Sequence, residues 1–161
     1  MFTTRCGAGQ SHGIANAGYR AVEACRLEKG YVYWSADIGP DVNPYEAGLG
    51  FCVALDKGEF TGRSALEDIG GQNRRRRLVT LALDGFVPLH GSEPVLRDGE
   101  LLGAVTSAGF GYAVDHTIAF ALLPSDVGTG TALEVEAFGS TFEARTTGRC
   151  LYDPAMARLK A

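Results

Sequence analysis

The stretch Val95-Leu96-Arg97-Asp98-Gly99-Glu100-Leu101-Leu102 decides the class of the fold. Two short apolar runs flank an Asp-Gly pair. A two-residue type I′ turn needs positive φ at both central positions, and Asp-Gly supplies it with little steric penalty. The segment therefore reads as a β-hairpin, with Val105-Thr106-Ser107 continuing its second strand. Outward from the hairpin the signals stay of one kind. Leu78 to Leu83 alternates apolar with small or polar residues, and Ile118 to Leu123 is an apolar run ended by Pro124. Ala132-Leu133-Glu134-Val135-Glu136 alternates strictly, Phe138-Gly139-Ser140 turns the chain, and Thr141 to Thr147 returns it. This predicts about six strands after residue 73, with no room for crossover helices. Pairing must then be antiparallel, and a small closed barrel is the simplest way to remove free edges.

Upstream the pattern is mixed. Residues 1–12 are Gly-rich and polar, with only a weak start signal. From Ile14 to Glu28 it turns helical, with Ala21, Val22 and Cys25 recurring at helical spacing and Gly30 placed as a left-handed stop. Tyr31-Val32-Tyr33-Trp34 reads as a strand, followed by a polar loop from Ser35 to Val42. Asn43-Pro44-Tyr45-Glu46 reads as a helix entry, with Asn43 as cap and Glu46 as its reciprocal partner. Leu49 to Leu55 is apolar and reads as a buried strand, and Gly62 to Ile69 as a short helix closed by Gly70-Gly71. Gly70 to Asn73 mark the boundary between the two halves. The fold class that follows is α+β, mainly β.

The chain's 161 residues, 45% of them hydrophobic and 21% charged, suit one packed domain or a small barrel carrying a piece of a second. A net charge of −4 argues against nucleic acid as a partner. Cys6, Cys25, Cys52 and Cys150 show no CxxC spacing and no His at a ligand interval, so no metal is expected. Cys25 and Cys52 sit among apolar residues and read as buried thiols in a reducing, cytoplasmic compartment. No run of about 20 apolar residues spans a membrane, and no leader-like apolar segment follows Met1. His12, His90 and His116 are scattered among loop-like segments, and no local motif assembles a nucleophile with its base. Glu134 and Glu136 share one face of a strand, which reads as a solvent face. Gly109-Phe110-Gly111 is followed by no helix, so it is no phosphate loop.

Several of these stretches resemble one family. Arg26-Leu27-Glu28-Lys29-Gly30-Tyr31, Tyr33-Trp34, Asp37-Ile38 and Asn43-Pro44-Tyr45-Glu46-Ala47-Gly48-Leu49 resemble a signature of the glycine-cleavage T-protein family. The Lys29-Gly30-Tyr31 version looks most like the form fused to sarcosine and dimethylglycine dehydrogenases. Leu55-Asp56-Lys57, Phe60 to Leu66, Gly103 to Ser107, Gly109 to Tyr112 and Leu151-Tyr152-Asp153-Pro154 continue the likeness in order. Ser35 stands where the family usually has Gly.

The resemblance implies an architecture and a chemistry. Residues 1–72 would be the last segment of a folate-binding domain, and residues 73–161 a six-stranded Greek-key barrel. In an intact protein the activated one-carbon unit on an amine nitrogen would be captured by tetrahydrofolate, giving 5,10-methylenetetrahydrofolate. FAD would belong only to a fused or partner dehydrogenase region. The family's catalytic Asp and its Gly-Tyr-Thr-Gly-Glu stretch are not found in this sequence. A fragment or subunit inactive alone is therefore expected, and no catalytic residue is named. Arg26 is the candidate folate contact, with Trp34 and Tyr33 lining the cleft. Each has a plainer reading: Arg26 tied to Glu23 or Asp37 at a helix end, and the two aromatics packed in a core. Glu28 and Asp37 read as ion-pair or turn residues rather than proton carriers. The run Arg74 to Arg77 reads either as a contact for phosphate or polyglutamate or as a solvated linker. Two other functions stay open. One is a non-catalytic module that docks onto a dehydrogenase or folate-binding chain, or self-associates, through an apolar face of residues 14–72. The other is a barrel binding module unrelated to folate.

Overall fold

A computed structural model describes residues 2–70 and 75–160. Its order is α1 (Phe2–Gly9), α2 (Tyr19–Glu28), α3 (Arg63–Ile69), then β1 (Arg76–Asp84), β2 (Pro94–Arg97), β3 (Glu100–Gly111), β4 (His116–Pro124), β5 (Ala132–Ala137) and β6 (Ser140–Thr147), ending in α4 (Ala157–Lys160). The six strands close into an antiparallel barrel in the order β1-β4-β3-β2-β5-β6. The expected mainly-β barrel is thus what forms. The connection from β1 to β2 crosses the barrel, so that β1 pairs with β4 and the hairpin-linked β2, β3 and β4 lie in sequence, a Greek-key arrangement.

The turns form as their residues require. Asp98 and Gly99 both hold positive φ, 54° and 79°, while Arg97 pairs with Glu100. Phe138 and Gly139 repeat this at 51° and 74°, between Ala137 and Ser140. Alternation along β5 is complete: Leu133, Val135 and Ala137 point into the barrel while Glu134 and Glu136 stay in solvent.

β4 is different. Its residues from Thr117 to Ala121 are buried without a break. Ala119, Ala121 and Leu123 join the barrel interior, while Ile118 and Phe120 form a second cluster with Leu27 of α2. Each such fully buried apolar side chain contributes roughly 1.5–3 kcal/mol. Two glycines of β3 make the approach of α2 possible. A Cβ at Gly109 would lie 2.9 Å from Leu27 Cδ1, and one at Gly111 3.1 Å from Glu28 Cγ.

α2 ends on Gly30 at φ 73°, with Gly30 N–H donating to Leu27 O and Tyr31 N–H to Arg26 O. This is the double hydrogen bond of a Schellman cap. The helix begins at Tyr19, five residues later than the periodicity suggests. Just past it, Lys29 Nζ donates to the carbonyls of Tyr152 and Asp153 and holds the C-terminal tail. Asp153 caps α4 through the N–H groups of Ala157 and Arg158. Those bonds, with Lys29 nearby, lower its carboxyl from the usual 3.8.

Five expectations for the first half are corrected. Tyr31 to Trp34 is no strand, since only Trp34 bridges to Ile38. The capping box at Asn43 forms, with Asn43 Oδ1 accepting from Tyr45 and Glu46 N–H and Glu46 Oε2 from Asn43 N–H, yet a turn and no helix follows. Leu49 to Leu55 is no buried strand: Gly50–Cys52 is a 3₁₀ turn and Phe51 is exposed. Cys25 and Cys52 are exposed thiols, because each falls on the outer side of its segment. Residues 2–9, which carry only a weak signal, form α1. The expected boundary at Gly70 to Asn73 lies mostly outside the described residues.

Gly30→Ala should lower the urea midpoint of unfolding, followed by circular dichroism, by the equivalent of about 2 kcal/mol or more. The new Cβ would meet Arg149 O at 2.3 Å, and the left-handed backbone alone costs about 1–2 kcal/mol. An unchanged midpoint would show that the packing here is not tight.

Candidate functional site

The residues singled out in sequence gather around one side chain. Arg26 projects from the last turn of α2 and is 6% exposed. Its Nη1 donates to Asp37 Oδ2 at 2.8 Å and to Tyr31 O at 3.3 Å. Its Nε and Nη2 both reach Glu23 Oε2, at 3.2 and 3.0 Å. The guanidinium carbon lies 4.8 Å from the Tyr33 ring centroid and 5.4 Å from that of Phe120. A guanidinium has five N–H donors. One hydrogen on Nη2 is left without a protein acceptor among the described residues.

Asp37 is the counterweight, 2% exposed. Besides Arg26 it accepts Tyr33 N–H at 2.8 Å, the Thr106 hydroxyl at 2.8 Å and the Ser107 hydroxyl. A buried carboxylate is tolerable when its lone pairs are filled in this way. The network ties three elements together: α2 through Arg26, the loop after it through Tyr33, and β3 through Thr106 and Ser107. The ion pair foreseen for Asp37 is present. Thr106 and Ser107 fall in the family-like stretch Gly103 to Ser107, but nothing local in the sequence ties them to Asp37, 69 and 70 residues earlier.

Tyr33 is half-buried under Arg26, and Trp34 is 66% exposed. Next to it Ser35 holds φ 72°, a left-handed conformation that accounts for Gly in the related motif. Tyr19 and Val22 of α2 are also exposed, as are Tyr31 and Phe51. Tyr19 donates its hydroxyl proton toward Glu23, which raises the phenol above its usual range. Glu28 does not face this site. It is buried, and its Oε1 accepts Ala113 N–H at 2.7 Å in the turn between β3 and β4. Among the described residues no cluster of three or more His, Cys, Asp or Glu is placed to hold a metal ion.

The arrangement is a buried cation locked between two carboxylates and the Tyr33 ring, with the exposed Trp34 following Tyr33 in the chain. The model of the glycine cleavage T-protein C-terminal barrel domain matches residues 76–153, and that of the GCVT N-terminal domain matches residues 1–57. The chain belongs to the glycine cleavage T-protein family. It is 39% identical over 162 aligned residues to human sarcosine dehydrogenase, covering 95% of this chain and 18% of that protein. It is 40% identical to rat dimethylglycine dehydrogenase, covering 85% of this chain and 16% of the relative. Against the aminomethyltransferase of Rippkaea orientalis the identity is 39%, with 87% of this chain and 38% of the relative covered. The crystal structure of aminomethyltransferase T from Bartonella henselae superposes with a TM-score of 0.73 at 27% identity, over 80% of this chain and 37% of that one. The chain thus spans about a fifth of the curated dehydrogenases and about two fifths of the aminomethyltransferases.

Two substitutions test the geometry. Asp37→Ala removes the shared acceptor of Arg26 Nη1, Tyr33 N–H and two hydroxyls, leaving Glu23 as the only carboxylate on the guanidinium, and should destabilise by about 2–3 kcal/mol in urea unfolding; a loss below about 1 kcal/mol would show that the network is dispensable. Ser35→Gly relieves a left-handed backbone and should stabilise by up to about 1 kcal/mol in the same assay. A destabilised glycine variant would mean that the Ser35 side chain carries a compensating contact.

Proposed function

We propose that this chain is the C-terminal part of a tetrahydrofolate-dependent aminomethyl-transfer module, of the type joined to sarcosine and dimethylglycine dehydrogenases. Residues 1–72 would close one side of the folate cleft, and the barrel of residues 73–161 would hold them in place. The observation that carries this reading is the buried Arg26, held by Asp37 and Glu23 against the Tyr33 ring, with the exposed Trp34 next to Tyr33 in the chain. Arg26 is oriented by Asp37 and Glu23 and keeps one donor for a ligand. Trp34 offers an exposed aromatic wall, and Tyr33 packs the guanidinium from below. These residues fit part of a folate site: a cation able to meet a carbonyl or carboxylate, and a surface able to cover a ring.

Tetrahydrofolate, when bound, supplies the nucleophilic amine that takes up the one-carbon unit. This chain's share is to orient and to exclude water. Arg26 fixes one polar edge of the ligand, Trp34 shields it, and Asp37 keeps Arg26 from turning away. The proton-transferring acid lies outside the residues assembled here. FAD, in the same reading, stays with a fused or partner dehydrogenase region. The four free thiols fit a reducing compartment, and the named dehydrogenase relatives are mitochondrial. No helix among the described residues is long and apolar enough to cross a membrane.

A second reading has its own observation. Ile14, Tyr19, Val22 and Phe51, all within residues 14–51, are exposed, which favours a non-catalytic module docking onto a separate dehydrogenase or folate-binding chain. The two readings separate by experiment. Incubated with tetrahydrofolate and an aminomethyl donor, the chain alone should give no turnover, and measurable methylenetetrahydrofolate would overturn the incomplete-site reading. In size-exclusion chromatography with mass detection, a docking module should self-associate or retain a partner, and a strict soluble monomer argues against it.

A further inference from the structure

A cavity of about 220 Å³ lies where the loop of residues 30–48 meets the barrel. It runs along the part of β1 that β6 leaves uncovered, since β6 pairs only with Thr80, Leu81 and Ala82. Arg77 of β1 and Arg149, just past β6, both line it, with the hydroxyl-bearing Thr129 and Thr147. None of its lining residues is Asp or Glu.

The charge here is unanswered. Of the buried or half-buried arginines, Arg26, Arg63, Arg76 and Arg97 each pair with a carboxylate. Arg77 and Arg149 form no ion pair among the described residues. Arg77 Nη2 donates to Val127 O at 2.6 Å, while its Nε is buried without an acceptor. Arg149 donates Nε to Gly30 O at 2.9 Å and Nη1 to Gly48 O at 2.8 Å. Carbonyls satisfy N–H groups but leave the two positive charges in place. Removing a charged group from water without a counter-ion is unfavourable. In a chain of net charge −4, acids are in surplus, yet none is sent to this cavity. The space far exceeds the roughly 10–15 Å³ that one water needs. Gly48, Thr129 and Gly148 at its rim are exposed, which leaves a way in.

We propose that Arg77 and Arg149, with Thr129 and Thr147, form a binding site for a small oxyanion, a phosphate or a carboxylate group. A guanidinium fork matches both geometries, and the Thr147 hydroxyl, which donates to Gly148 O at 3.1 Å, can turn its one hydrogen to an anion instead. Because Arg149 also holds the carbonyls of Gly30 and Gly48, an anion bound there ties the end of α2 and its following loop to β1. The site shares no residue with Arg26, Tyr33 or Trp34 and does not depend on the folate reading.

The test titrates the full chain with inorganic phosphate and, separately, with acetate, at ionic strength held constant with chloride. Calorimetry reads the affinity, and nitrogen-15 NMR follows the Arg77 Nε–H resonance. The expected result is saturable binding of at least one anion, with the Arg77 resonance moving at the same midpoint. Phosphate binding alone assigns a phosphate site, and acetate binding, alone or beside phosphate, a carboxylate-accepting one. Arg77→Gln should weaken binding by about tenfold or more, whereas Arg158→Gln, on the exposed tail, should leave it unchanged. No saturable binding of either anion, or binding that Arg77→Gln does not disturb, overturns the proposal. Should Arg77→Gln fail to fold, the wild-type spectrum decides: an Arg77 resonance that stays still at saturating anion overturns it equally.

Discussion

The buried carboxylate of Asp37 joins more elements across the two halves of this molecule than any other side chain described above. Asp37 receives donors from α2, from its own loop and from β3, and it does so almost wholly out of water. Without those donors the burial of an ionised group would be prohibitive; with them it becomes a directional link that hydrophobic contact alone does not provide. The loop after α2 has little regular structure to keep its shape. Its conformation is borrowed from the barrel, through Asp37 on one side and through the Arg149 contacts to Gly30 and Gly48 on the other. Whatever Trp34 and Arg26 meet, their positions descend from these long-range bonds.

The barrel was legible in the amino-acid sequence because its information is local. Asp98-Gly99 and Phe138-Gly139 dictate tight turns, and β5 alternates with a period of two. The first half was much less legible. Tyr31 to Trp34 and Leu49 to Leu55 carry the apolar content of strands, but they serve as a covering layer whose apolar groups lean on the barrel or stand free. A loop that packs against a preformed surface obeys no internal period, so a periodic reading mistakes it for an element. The exposed thiols at Cys25 and Cys52 follow from the same error: an apolar neighbourhood in sequence is not one in space.

For the candidate site the position is intermediate. The family resemblance drew attention to Arg26, Tyr33 and Trp34, and the structure brings Arg26 and Tyr33 into contact with Asp37, with Trp34 next to Tyr33 in the chain. The helix-end pairing of Arg26 with Glu23 and Asp37 was itself one of the alternatives open in the sequence, and it is compatible with a ligand only through the donor left over. The glycines of β3 show another limit. In the sequence Gly109-Phe110-Gly111 could only be set aside as a phosphate loop, yet in the structure Gly109 and Gly111 let Leu27 and Glu28 approach the strand. A missing side chain matters here for what occupies its place.

Trp34 is the chain's one tryptophan, and it stands two-thirds exposed on the loop that the barrel shapes. Indole emission from this protein therefore comes from that loop and nowhere else. Its colour and its quenching by small solutes form a local optical record of the loop, separate from the far-ultraviolet signal of the strands. A change in one without the other would distinguish a loosened cover from an unfolded barrel, with no label attached.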